Sequence, residues 1–187
     1  MTKKLIAIPL LSLLFALPAQ AVEFTAVQAD KSSLAFVYKQ MGVPVEGRFK
    51  KFAAQLAFDP AKPTAAKANL DLDLASIDAG APEANDEVAG KAWFNTKLYP
   101  QAKFVSSGVK ALGGNRYEVS GKMTIKGHTQ DVSAPFTLST QGTLASFDGA
   151  FVLKRADYAI GEGMWADFGT VANEIQIKFH FVASAAK

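Results

Sequence analysis

The chain contains no cysteine. That excludes disulfides, thiol nucleophiles and cysteine-ligated zinc, so stability has to come from packing. Its two histidines, His128 and His180, fall in a turn and on the polar side of a strand pattern, without His-x-x-x-His spacing. No metal site is therefore expected. There is no G-x-S-x-G elbow, so no serine is set up for nucleophilic attack. No block of like charges occurs, which argues against nucleic acid or an anionic membrane surface as a partner. No Asn-x-Ser/Thr sequon is present, and no long apolar run follows residue 21, so a membrane-spanning helix is not expected. Internal repeats and low-complexity tracts are likewise missing.

One apolar run is present, at the start. Lys3 and Lys4 precede Leu5 to Leu17, which only Pro9 and Ser12 interrupt, and Ala19-Gln20-Ala21 follows. A positive end, a short apolar core and a small-x-small site are the order of a secretory signal peptide. Residues 1–21 are expected to be removed before Val22, leaving a single domain over residues 22–187. Loss of the two lysines takes 20 basic residues to 18 against 17 acidic ones, so the net charge falls from +3 to +1.

The rest alternates with period two, the mark of strands with one buried face. Leu34, Phe36 and Tyr38 share one face, as do Phe52, Ala54, Leu56 and Phe58. Leu70 and Leu72 alternate with Asp71 and Asp73, which reads as a solvated outer face rather than a catalytic acid pair. Tyr117 to Ile125 and Val132 to Leu138 continue the pattern. The last run is the clearest, with Ile175, Ile177, Phe179 and Phe181 set against Glu174, Gln176, Lys178 and His180. Turn signals at Asp59-Pro60, Gly113-Gly114-Asn115, Lys126-Gly127-His128 and Gly142 separate the runs. About eight substantial strands and a short opening one near Phe24 are expected, arranged as a sandwich or a closed barrel.

A helix is predicted over 81–89, where Pro82 and Glu83 suit a helix start. The longest irregular segment, 155–171, is expected to be a mobile loop. Within it, Gly161-Glu162-Gly163-Met164-Trp165-Ala166 matches a dinucleotide-binding pattern, but the flanks are not the strand and helix of a βαβ unit. Asp167-Phe168-Gly169 spells a kinase tripeptide without the rest of the kinase set. Both are set aside.

Thirteen of the 14 phenylalanines follow residue 21. Most are expected to form core, and some to line a cavity if the sheet closes on one.

The order and spacing of several pieces resemble the YceI-like family of bacterial periplasmic proteins. The pieces include Asp30-Lys31-Ser32-Ser33-Leu34-Ala35-Phe36, Met41-Gly42, Gly47-Arg48-Phe49 and Ser76-Ile77-Asp78. Tyr99-Pro100-Gln101-Ala102-Lys103-Phe104, Gly121-Lys122-Met123-Thr124-Ile125-Lys126-Gly127 and Arg155-Ala156-Asp157-Tyr158 complete the resemblance over nearly all of residues 22–187. Gln40 stands where the family often has His, and Trp93-Phe94-Asn95 where it often has Phe-Phe-Asp.

The resemblance implies an all-β, eight-stranded antiparallel lipocalin-like barrel with a short helical excursion, located in the periplasm. It implies a cavity for a long isoprenoid lipid, such as a polyprenyl lipid or an isoprenoid quinone, with no catalytic residue and no cofactor. It leaves room for a membrane donor or acceptor protein as a partner. Strand parity then nominates Phe36, Tyr38, Leu72, Phe104, Met123, Phe136, Phe151 and Phe179 as lining, with Trp165 at a barrel mouth. Arg48, Lys126 and Arg155 are the candidates to meet a polar headgroup. An enzyme of lipid or quinone metabolism and a stress-related protein-interaction module remain the alternative readings.

Overall fold

The computed structural model describes residues 22–186; the expected signal peptide, residues 1–21, lies outside the described residues. The strands are β1 (Phe24–Val27), β2 (Ser33–Gln40), β3 (Val43–Phe49), β4 (Phe52–Ala57), β5 (Lys67–Asp73) and β6 (Ile77–Asp78). After helix α1 (Pro82–Ala89) come β7 (Gln101–Gly113), β8 (Arg116–Ile125), β9 (His128–Gln141), β10 (Leu144–Lys154) and β11 (Glu174–Ala185). All pair antiparallel in one curled sheet, in the order β4-β5-β7-β8-β9-β10-β11-β2-β3-β6, with β1 also beside β11.

The curl follows from the length of β11. One of its edges pairs with β10 from Glu174 to Ser184. Its other edge pairs first with β2, from Gln176 to His180, and then with β1, from Ala183 to Ala185. β1 in turn meets the residue that follows β4. Phe24 N–H donates to Phe58 O at 2.9 Å, and Phe58 N–H to Phe24 O at 3.1 Å. The β4 end of the sheet is thereby tied through β1 to β11, while β2, β3 and β6 continue beyond it.

The described residues contain eleven strands where about eight and an opener are expected. β3 and β6 account for the difference. β3 carries Pro44 and Gly47, which break the apolar alternation that marks a strand. β6 is two residues long and pairs only through Arg48–Asp78 and Phe49–Ile77. The helix forms where predicted, with Pro82 in its first turn and Gly90 at its end. The carboxamide of Asn85 accepts from Ala79 N–H at 2.6 Å and moors the helix to the chain leaving β6.

An aromatic cluster fills one end of the curl. Phe58 meets Tyr117 edge-on at 5.2 Å and Phe147 at 5.3 Å between ring centres, and Tyr117 stacks on Phe136 at 5.4 Å. A second cluster, around Leu34, Leu72, Leu74, Ile125, Tyr158 and Ile160, occupies the end beneath α1 and the 155–171 segment.

Three strand glycines let phenylalanine rings lie against the wall. A Cβ at Gly47 or Gly149 would collide with the ring of Phe36 or Phe179, and one at Gly121 with the ring of Phe104. Gly149→Val is therefore expected to cost about 1–3 kcal/mol through overpacking. Gly108→Ala, which has open space at its Cβ, should stay within about 0.5 kcal/mol. Urea midpoints of the two variants check this, and equal losses would contradict the close packing inferred at Gly149.

Candidate ligand cavity

Inside the curl lies a cavity of about 650 Å³, within the range of sites that take small organic ligands. Its walls are mostly apolar side chains from β2, β5, β7 to β11 and α1. The two-residue period sends alternate residues inward. On β11, Ile175, Ile177, Phe179 and Phe181 border the cavity, while Lys178 points out toward Glu46, 3.8 Å away. On β5, Leu70 and Leu72 face in. Asp71 faces out to Lys103 at 3.0 Å, and Asp73 accepts from Ala75 N–H as a cap.

The cavity is bordered by Phe36, Tyr38, Leu72, Phe104, Met123, Phe136, Phe151, Trp165 and Phe179. Phe136 belongs mainly to the aromatic cluster and helps to close that end. Tyr38 donates to Ala79 O at 3.1 Å, and burial raises its pKa, so the phenol stays neutral. Strand parity does not find the wall contributed by α1, where Ala84 and Val88 lie four residues apart on one side, nor Trp93, Phe94 and Phe49. The i, i+4 spacing of Ala84 and Val88 is the sequence signal that could have revealed the helical part. Phe49 sits 5.3 Å from Phe36 and 6.5 Å from Phe94, joining the strand wall to the chain beyond the helix.

The three cations nominated for a headgroup do not gather at a mouth. Arg155 is 1% exposed, and its guanidinium donates to five backbone carbonyls, those of Ile160, Gly161, Trp165, Val171 and Ala172, at 2.7–3.2 Å. Its flat faces meet Trp93 at 5.5 Å and Phe168 at 5.1 Å. All five N–H donors of an arginine are then in use, so none is left for a ligand. The 155–171 segment, expected as a mobile loop, places four of these carbonyls around the side chain.

Lys126 is 7% exposed, and its ammonium donates to Ala159 O at 2.6 Å and Glu162 Oε2 at 2.7 Å. This hydrogen bond and the lysine's charge hold the Glu162 carboxyl below its ordinary pKa. The depressed pKa contributes stability above the carboxyl's unfolded value, lost as the pH falls through the folded one. Arg48 is on the outside, 3.5 Å from Asp78 and apart from the cavity wall. Arg155 and Lys126 are thus structural, and Arg48 is a surface residue.

Besides Arg155, whose donors are spent on carbonyls, polar groups border the cavity in two places. At the α1 end stand Gln40, Glu83 and Glu87, and Glu87 Oε1 accepts from the indole N–H of Trp165 at 2.7 Å. Elsewhere Gln55, Lys67, Asn69 and Lys103 reach it from β4, β5 and β7. Among the described residues, no group of three or more His, Asp or Glu side chains could hold a metal ion. No helix among them is long and apolar enough to cross a membrane.

Residues 26–183 match the model of the YceI-like domain. The chain belongs to the YceI-like family. A UPF0312 protein of Pseudomonas putida is 32% identical over 140 residues, 72% of either chain. The solved structure of BcnA from Burkholderia cenocepacia superposes with a TM-score of 0.82 at 50% identity, covering 84% of this YceI-like chain and 99% of BcnA. A polyisoprenoid binding domain from Saccharophagus degradans, implicated in plant cell wall breakdown, superposes with a TM-score of 0.67. At 17% identity, over 89% of this chain and 99% of that domain, the likeness speaks for the fold alone.

Proposed function

We propose that the protein is a periplasmic carrier which holds one isoprenoid lipid by its tail, and that it is not an enzyme. In this reading the curled sheet works as a lipocalin-like barrel around the lipid. The observation that carries it is the apolar cavity of about 650 Å³, bordered by phenylalanines whose rings pack close against strand glycines. The Saccharophagus degradans domain, described as polyisoprenoid binding, has the same fold and supports the ligand class.

Energetics favour a long tail. Burying ten methylene-sized groups contributes roughly 8 kcal/mol gross, while association costs about 4–15 kcal/mol. A short tail therefore binds weakly, and a deep cavity lets a long one bind. The protein purified from a cell-envelope fraction should have the intact mass of residues 22–187. Mass spectrometry of its solvent extract should find an isoprenoid lipid at near-equimolar ratio. A full-length cytoplasmic product, or an extract holding only lipids without isoprene units, would contradict the proposal.

A further inference from the structure

Exposed apolar side chains gather outside the α1 end of the cavity. Among the described residues nine large apolar side chains stand exposed, and four of them belong to two joined pieces of chain. Met41 and Val43 sit at the turn between β2 and β3, while Met164 and Phe168 belong to the 155–171 segment. The two methionines are 78% and 85% exposed. Met41 N–H donates to Thr170 O and Ala172 N–H to Lys39 O, both at 2.9 Å, which holds the turn against the segment. Gln40, Trp165 and Val171, on the same two pieces, border the cavity.

Neither the turn nor the core accounts for Met41. Its φ of 50° and the 82° of Gly42 put both turn residues in the left-handed region. A two-residue hairpin turn of this kind favours asparagine, aspartate or glycine at its first position, and a long side chain there is uncommon. The methionine therefore fits its turn poorly and packs little of itself against the protein. Methionine is flexible and polarizable, which suits it to contact surfaces.

Charge defines what such a surface would contact. α1 and the 155–171 segment carry six acids, Glu83, Asp86, Glu87, Asp157, Glu162 and Asp167, against one base, the buried Arg155. Outside these two elements, residues 22–187 hold 17 of their 18 basic residues and 11 of their 17 acids, a net +6 against −5. Lys126 reaches across to Glu162 and is itself buried. Lys39 and Lys91 flank the two elements and are the exposed cations nearest to them in sequence. The acidic pole coincides with the exposed methionines: Glu87 meets Trp165 at 2.7 Å, beside Met164, and Asp167 adjoins Phe168. A surface of this sign is repelled by an anionic membrane and attracted by a basic protein surface.

We propose that Met41, Val43, Met164 and Phe168 form a docking surface for a protein partner that presents an apolar side chain among lysines and arginines. The inference stands apart from the carrier reading, since it concerns the outer surface whatever the cavity holds.

The test uses the protein comprising residues 22–187 and two fluorescent amphipathic peptides, one of leucine and lysine, the other of leucine and glutamate. By anisotropy the lysine peptide should bind and the glutamate peptide should not, and added salt should weaken the binding. Met41→Asn combined with Met164→Gln should weaken the lysine peptide by roughly tenfold or more, through lost apolar burial. Glu83→Gln combined with Asp86→Asn should weaken it roughly two- to fivefold at low salt and little at high salt. Leu112 is also exposed but lies near the β7–β8 turn, at the other end of β8 from Lys126. Leu112→Gln should leave the affinity unchanged.

Asparagine suits the left-handed turn, so Met41→Asn alone should hold or raise the melting temperature. A fall would show that Met41 serves the fold and would overturn the proposal. Equal weakening by Leu112→Gln, preference for the glutamate peptide, or no binding of either peptide would also overturn it. Sedimentation with phosphatidylcholine–phosphatidylglycerol vesicles that the methionine double variant abolishes would assign the surface to a bilayer instead. A dimer in sedimentation velocity that the same variant dissolves would assign it to a second copy of the chain. None of these results bears on lipid inside the cavity, so the carrier reading stands or falls separately.

Discussion

Arg155→Met is expected to destabilise the protein by at least about 3 kcal/mol. The substitution leaves five carbonyl oxygens without their donor, and each unpaired buried acceptor costs on the order of 1–3 kcal/mol before water or relaxation relieves it. No carboxylate pairs with Arg155 among the described residues; its charge is met by carbonyl dipoles and by the faces of Trp93 and Phe168. Burial lowers its pKa, yet an arginine stays protonated in proteins, so the donors persist across the working pH range. Arg155→Lys should rescue little, because three donors on a flexible stem cannot reproduce a planar fork of five. Urea unfolding of both variants checks this. A loss below about 1 kcal/mol for Arg155→Met would show that the 155–171 segment does not depend on it.

Phe179→Asp is the second large effect. Phe179 faces the cavity, lies across Gly149 and stacks on Phe181 at 5.7 Å. Replacing it removes an aromatic core contact, worth about 3–5 kcal/mol, and places a carboxylate in an apolar interior. The neighbouring change, Lys178→Asp, disturbs only an exposed contact to Glu46 and should stay within about 1 kcal/mol. Thermal melts of the pair distinguish the faces of β11. Equal losses would mean that the inward and outward assignments do not govern stability there.

The strands with an uninterrupted alternation could be read from sequence because period two reports burial directly. β11, β5 and β9 are of this kind. β3 was hidden because Pro44 and Gly47 interrupt the pattern, and the use of Gly47 emerges only when Phe36 arrives from the neighbouring strand. The cations were harder still. Nothing local distinguishes the buried Arg155 and Lys126 from the exposed Arg48, since burial depends on carbonyls and a carboxylate gathered by the tertiary fold. The same holds for the 155–171 segment. Its glycines carry no sign that Gly161 sits close against the Arg155 guanidinium.

The central claim is that the tail, held in the curl of the sheet, drives binding. The most direct measurement is a competition series of isoprenoids with graded numbers of units and one headgroup, read by displacement of a fluorescent lipid. Each added buried CH₂ is worth about 0.8 kcal/mol, so affinity should climb steeply with length and then level off once the cavity of about 650 Å³ is full. Leu72→Trp or Met123→Trp, both on the cavity wall, should move the plateau to shorter tails at an overpacking cost of about 1–3 kcal/mol. Affinity that stays flat with tail length while following the headgroup would contradict the claim.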